Sequence, residues 1–249
     1  MRLDKLFTTV GLLSRRECAA AAKRGRITVN GAVVKAPDLS VDPERDTVTL
    51  DGERVNYARY AYLWLNKPRG YVSATEDARL PVVTELVPPA YARRDLFPCG
   101  RLDRDTEGLL LLTDDGPLTH ALLSPKRGVR KVYRFTTEAP LPADAEERLG
   151  EGMTLGDDRC RPADLAANAD RLGGTVTLTE GKYHEVKRMM AALGAPVVTL
   201  ERIAFADIPL DAALARGECR PVTEEELAIL RAAAGTETIS KKGEPHGHH

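Results

Sequence analysis

The chain is short of aromatic residues, which make up 5% of it and include a single Trp. It has only four Cys and five His. Cys18, Cys99, Cys160 and Cys219 lie far apart in sequence, with no Cys-x-x-Cys pair, so neither a zinc clip nor a disulfide framework is indicated. No apolar run approaches the length of a membrane span, and the start carries no apolar leader segment. No metal, no membrane partner and a reducing cytoplasmic location are therefore expected. Charge of one sign is also lacking, since the formal net charge is -1. That average hides an asymmetry. Residues 1–35 hold eight Lys/Arg against Asp4 and Glu17, so 8 − 2 gives +6 on a short segment. Such a local excess points to a polyanion contact, although a solvated charged face would look the same.

The basic segment reads as a small module. Leu3, Leu6, Phe7 and Val10 have helical spacing, and Gly11 ends the run. Ser14-Arg15-Arg16-Glu17 fits a capping box, in which hydroxyl and carboxylate satisfy free amides at a helix start. The alanine run after it favours helix, and Gly25 stops it. Arg26–Val29 and Ala32–Lys35 read as strands around an Asn30-Gly31 turn, and Thr47–Leu50 as a further strand before Asp51-Gly52. Over residues 1–50 this order and these motifs resemble the S4 RNA-binding domain. The resemblance implies that Arg15, Arg16, Lys23 and Arg26 contact phosphates. Residues 51–60 read as a linker, which suggests mobility.

Further on, strands are expected at 62–68, 131–136, 175–179 and 197–200, and helices near 116–123, 142–150, 184–193 and 223–234. Their irregular alternation, with no dinucleotide-type glycine fingerprint, implies a mixed α+β domain. The domains are placed at 1–58, 59–235 and a polar, disordered tail at 236–249.

The most informative run is Gly100–Gly116, where five carboxylates and two arginines surround Leu109-Leu110-Leu111-Leu112. Asp103, Asp105, Glu107, Gly108 and Asp114 nearly spell a calcium loop. The final acid is the shorter Asp, position nine is Leu111, and four leucines suit a buried strand, so that reading is disfavoured. Asp105, Glu107, Asp114 and Asp115 read as turn and capping acids, or as partners of Arg101 and Arg104. Asp103 follows Leu102, which should face inward, and sits at the lip of the strand. Flanked by arginines, it can be held ionised and act as nucleophile or base.

Two more segments carry chemistry. Arg130–Phe135 reads as a strand with Lys131, Tyr133 and Phe135 on one face. A Tyr among basic residues suits stacking on a nucleobase, and suits a core position equally well. Glu180-Gly181-Lys182-Tyr183-His184-Glu185-Val186-Lys187-Arg188-Met189 reads as a turn into a basic amphipathic helix.

Taken in order, Leu65-Asn66-Lys67-Pro68-Arg69-Gly70-Tyr71-Val72, the Gly-Arg-Leu-Asp run, Lys131-x-Tyr133, the 180–189 segment and Gly217–Thr223 resemble the pseudouridine synthases of the RsuA/RluB/RluE/RluF family. The match spans about residues 60–230 and leans towards RsuA, which acts on small-subunit ribosomal RNA. It implies a pseudouridine synthase fold with a largely antiparallel sheet. It implies Asp103 as the catalytic aspartate, Tyr133 as the ring stacked on a flipped uracil, and Lys187 as the cation paired with the aspartate. Val186 would pack near the base, Arg101 would hold the nucleotide out of the stack, and Lys131 and Arg188 would contact RNA. Glu185 stands where relatives commonly show Gln, a change expected to bear on RNA contacts and not on the chemistry.

Isomerising uridine breaks a glycosidic bond, turns the base and rejoins it through carbon, so no cofactor is expected. The expected partner is ribosomal RNA or an assembly intermediate, bound by a monomer. A large-subunit rRNA synthase is the alternative within the family. A non-catalytic RNA-binding assembly factor is the alternative from another class.

Overall fold

The computed structural model describes residues 1–236, so the expected tail falls, beyond Thr236, outside the described residues. The chain forms two compact units. Met1–Gly116 and Asp211–Pro221 make the first, and Pro117–Leu210 with the described residues from Val222 to Thr236 make the second. No helix among the described residues is long and apolar enough to cross a membrane.

The first unit opens with α1 (Leu3–Thr9) and α2 (Arg15–Lys23). The capping box at the start of α2 is complete. Glu17 N–H donates to the Ser14 hydroxyl at 3.2 Å, and Ser14 N–H donates to the Glu17 carboxylate at 2.7 Å. Strands β1 (Ile27–Val29), β2 (Ala32–Val33), β3 (Val48–Leu50) and β4 (Glu53–Arg54) form an antiparallel sheet in the order β2-β1-β3-β4. Asn30-Gly31 and Asp51-Gly52 carry positive φ at both residues (51° and 81°, 53° and 86°). Both turns therefore match the right-handed twist of the strands they join. Leu3, Leu6, Phe7, Cys18, Ile27 and Val48 are buried in the core of this module.

The expected linker at 51–60 is corrected here. Glu53–Arg54 pairs with β3, and Val55 is buried in the same core with its N–H on the Val48 carbonyl at 2.8 Å. Farther along, Arg94, whose side chain is only 4% exposed, donates to the carbonyls of Ala58 (3.2 Å) and Arg59 (3.0 Å). The same guanidinium pairs with Asp114 at 2.6 Å. Arg93 pairs with Glu17 on α2. The segment lacked hydrophobic periodicity because side chains from outside it hold it in place.

The rest of the unit is built on β5 (Tyr62–Lys67), β6 (Phe97–Pro98) and β7 (Glu107–Thr113), with a late strand, Cys219–Pro221 (β15 in chain order), on the other edge of β5. β5 pairs antiparallel with β7 from Tyr62↔Thr113 to Lys67↔Gly108. All four leucines of β7 are buried. A strand covered on both faces reads as a continuous apolar run rather than an alternating one.

Helix α3 (Gly116–Leu123) leads into the second unit, which continues through β8 (Lys131–Thr137), α4 (Ala145–Gly150), β9 (Thr154–Leu155), β10 (Asp158–Arg159), β11 (Asp164–Ala167) and β12 (Gly173–Leu178). It is completed by α5 (Glu185–Ala192), β13 (Val197–Phe205), β14 (Ile208–Pro209) and α6 (Glu224–Ala234). The strand order is β11-β12-β8-β13, with β14 on β13, and these pairings are antiparallel. β9 and β10 form a separate hairpin. At the start of β12 a Cβ on Gly173 would collide with the Phe135 carbonyl, and one on Gly174 with the Ala166 carbonyl. Only glycine lets the neighbouring strands close at that point. The result is the mixed, largely antiparallel α+β architecture expected from the sequence.

Candidate active site

In the first unit the site is a turn. Asp103 lies four residues ahead of β7, not at its lip, and is half-buried. The turn is closed by the Thr106 N–H on the Asp103 carbonyl at 3.1 Å. Leu102 points inward at 5% exposure. Its N–H and carbonyl both bond the Ser73 hydroxyl, at 3.0 and 2.9 Å. Arg101 is exposed.

The turn is held mainly by Lys67, the last residue of β5, which is fully buried. Its ammonium donates to the carbonyls of Asp103 (3.0 Å), Thr106 (2.7 Å), Pro68 (3.1 Å) and Arg104 (3.4 Å). A buried cation is costly unless its donors are satisfied, and charge-assisted bonds are the stronger kind. Gly70 N–H adds a bond to the Arg104 carbonyl at 2.8 Å, and Arg69 Nε one to the Asp105 carbonyl at 3.1 Å. The 67–73 segment thus fixes the backbone of 102–106. The hint in the sequence was a lysine at the end of a largely apolar strand.

The other acids of the run have different partners from those expected. Glu107 sits on β7 and pairs with Arg216 at 3.2 Å. Asp114 accepts from Arg94 and from the Ala61 N–H at 2.8 Å. Asp115 accepts from the Tyr62 hydroxyl at 2.7 Å. These bonds tie the ends of β5 and β7 together, and they scatter the acids of the calcium-like pattern.

In the second unit β8 turns Lys131, Tyr133 and Phe135 to its buried face. Tyr133 is 8% exposed and lies opposite Val176 on β12 and Arg202 on β13. Lys131, expected to reach RNA, is instead turned inward. Its ammonium donates to the Val129 carbonyl at 3.1 Å and lies 5.9 Å from the centre of the Phe205 ring. Val186 is buried and Lys187 half-buried at the start of α5. Arg188, also expected at the RNA, holds the β9–β10 hairpin through Asp158 at 2.7 Å and through the Leu155 carbonyl.

The start of α5 rests on a buried pair of acids. Glu185 accepts the Lys182 N–H at 2.8 Å, and the Glu180 carboxyl lies close by. Glu180 accepts the Arg161 N–H at 2.6 Å and lies 3.7 Å from the Lys182 ammonium. Burial, with the Glu180 carboxyl adding to it, pushes the Glu185 carboxyl up to about 6. Burial also raises the nearby Cys160 thiol. The donor atoms of Cys160, Glu180 and Glu185 lie within 4.8 Å of one another, a metal-type grouping that sequence reading missed. The lysine and amide donors already facing these carboxyls suit a proton shared between two acids better than a cation.

In the N-terminal module Arg15, Arg16 and Lys23 are exposed along α2, whereas Arg26 is paired with Asp51.

A basic helical module thus precedes an α+β domain that carries a clamped aspartate and a strand tyrosine. Family models specify the class. One described as "S4 domain" matches residues 1–46, and one described as "RNA pseudouridylate synthase" matches 61–192. The chain belongs to the RNA pseudouridylate synthase family. It is 44% identical over 234 residues to the Bacillus subtilis protein named "Uncharacterized RNA pseudouridine synthase YtzG", covering 92% of this chain and 98% of that one. It is 40% identical to "Ribosomal small subunit pseudouridine synthase A" of Yersinia pestis, covering 93% and 99%. The solved structure "Crystal structure of pseudouridylate synthase" matches with a TM-score of 0.64 at 34% identity, over 92% of this chain and 99% of that one.

Proposed function

We propose that the chain converts one specific uridine of small-subunit ribosomal RNA to pseudouridine, acting as a cytoplasmic monomer with Asp103 as the catalytic carboxylate. The C1′–N1 bond of the target nucleotide breaks, the uracil turns, C5 bonds to C1′, the C5 proton leaves and N1 takes one up. Atoms and electrons balance without a redox partner. The nucleotide must first leave its stack, at a cost of a few kcal/mol. By the family resemblance Tyr133 stacks on the extruded uracil, Val186 packs beside it, Lys187 is the cation of the reaction, and Arg101 helps hold the nucleotide out of the stack. Arg15, Arg16 and Lys23 carry the phosphates of the surrounding RNA.

The observation that supports this reading most is the clamp of Lys67 on the backbone of Asp103, because a nucleophile or base must be held at a fixed position. The choice of the small subunit rests on the near full-length likeness to the relatives of that name. Mapping pseudouridines in ribosomal RNA from cells lacking the protein tests it. One site should vanish from the small-subunit RNA. Loss from large-subunit RNA instead would replace the substrate, and an unchanged map would favour a non-catalytic assembly factor.

A further inference from the structure

Tyr183 is the most exposed large apolar side chain among the described residues, at 68%. Phe7, Trp64, Tyr133, Phe135 and Phe205 are, by contrast, buried. Its ring is stacked on His184, with centroids 3.8 Å apart and planes 17° from parallel. His184 has φ 49° and ψ 35°, a left-handed conformation that a residue with a Cβ rarely adopts. That conformation falls at the residue just before α5, whose first turn holds Val186 and Lys187. Of the nearby cations Lys182 faces Glu180 and Arg188 pairs with Asp158, while Lys187 follows in the first turn of α5. A ring backed by a second ring and turned to solvent offers its outer face to a planar π-system. Every base has such a face, so this contact tolerates sequence.

We propose that Tyr183, braced by His184, is a stacking platform for an unpaired nucleobase of the substrate RNA beside the target uridine. This rests on the function proposed above. The platform adds affinity and positions the strand while Tyr133 receives the target base itself. The left-handed His184 backbone sets the direction in which the platform faces.

The test uses the full chain with a small-subunit rRNA transcript and, separately, a short single-stranded oligouridine. Tyr183→Ala should raise KM for the transcript about tenfold, as expected for the loss of one stacked base, with kcat within about twofold. Its melting temperature should match the wild type, because the side chain is exposed. Tyr183→Phe should behave as wild type, since the ring and not the hydroxyl makes the contact. In Tyr183→Trp the added fluorescence should be quenched by oligouridine, a readout that needs no turnover. Unchanged KM in Tyr183→Ala, equal loss in Tyr183→Phe, or no quenching overturns the proposal. Failure of the wild type to isomerise any rRNA transcript counts against the function instead, and the quenching still decides the platform.

Discussion

Lys67 and Asp103 stand 36 residues apart in sequence, yet the ammonium of one fixes the main chain of the other. Replacing Lys67 by Met leaves four carbonyls without their charged donor. Leaving buried acceptors without their donor typically costs about 1–3 kcal/mol. Chemical denaturation should show a loss of that order for Lys67→Met, and whatever folds should lose kcat more than it raises KM. Arg should not restore function, because a planar guanidinium cannot converge on carbonyls that surround a compact ammonium. Sequence reading singled out Asp103 from the apolar residue before it and the arginines around it. It placed Asp103 at the strand's lip because nothing local reveals a clamp supplied by another strand. Tyr133 kept two readings in the sequence, and its 8% exposure places it on the inward face of β8.

The start of α5 is sensitive to pH. The folded chain raises the Glu185 carboxyl from 4.5 to about 6. A group raised in the folded state contributes its full stability below its unfolded value and loses it as pH rises through the folded one. The native state should therefore weaken from about pH 4.5 to above pH 6. Gln at this position keeps a donor for Glu180 and carries no proton to lose. Glu185→Gln should stabilise the chain by about 1–2 kcal/mol at pH 8 and not at pH 4, read from melting curves at both. A second prediction concerns the segment before β5. Arg94→Ala removes the bonds to Ala58 and Arg59, so trypsin should cut after Arg59 several times faster than in the wild type. Elements with their own signals were legible. α2 and α6 have complete capping boxes, and α3 lies where it was expected, at 116–123. β4, β6, β9, β10, β11, β14 and β15 were not foreseen. These strands have two to four residues each, and their pairing partners, not an internal period, define them.

The whole chain combines a net charge of -1 with +6 over its first 35 residues. That excess makes the first segment the place where a general attraction to a polyanion is expected. If α2 lies along phosphates, changing Arg15 and Arg16 to Gln should lower the slope of log K against log salt by about 1.4–1.8. The slope is obtained by titrating rRNA transcript binding across salt concentrations. Catalysis is the more direct test. Wild type and Asp103→Asn, presented with the same small-subunit transcript, should bind it with equal Kd and melt at the same temperature. The wild type should form pseudouridine at one position, and the variant should be at least about a thousandfold slower. Full activity in Asp103→Asn would contradict the assignment of the reaction to this carboxylate.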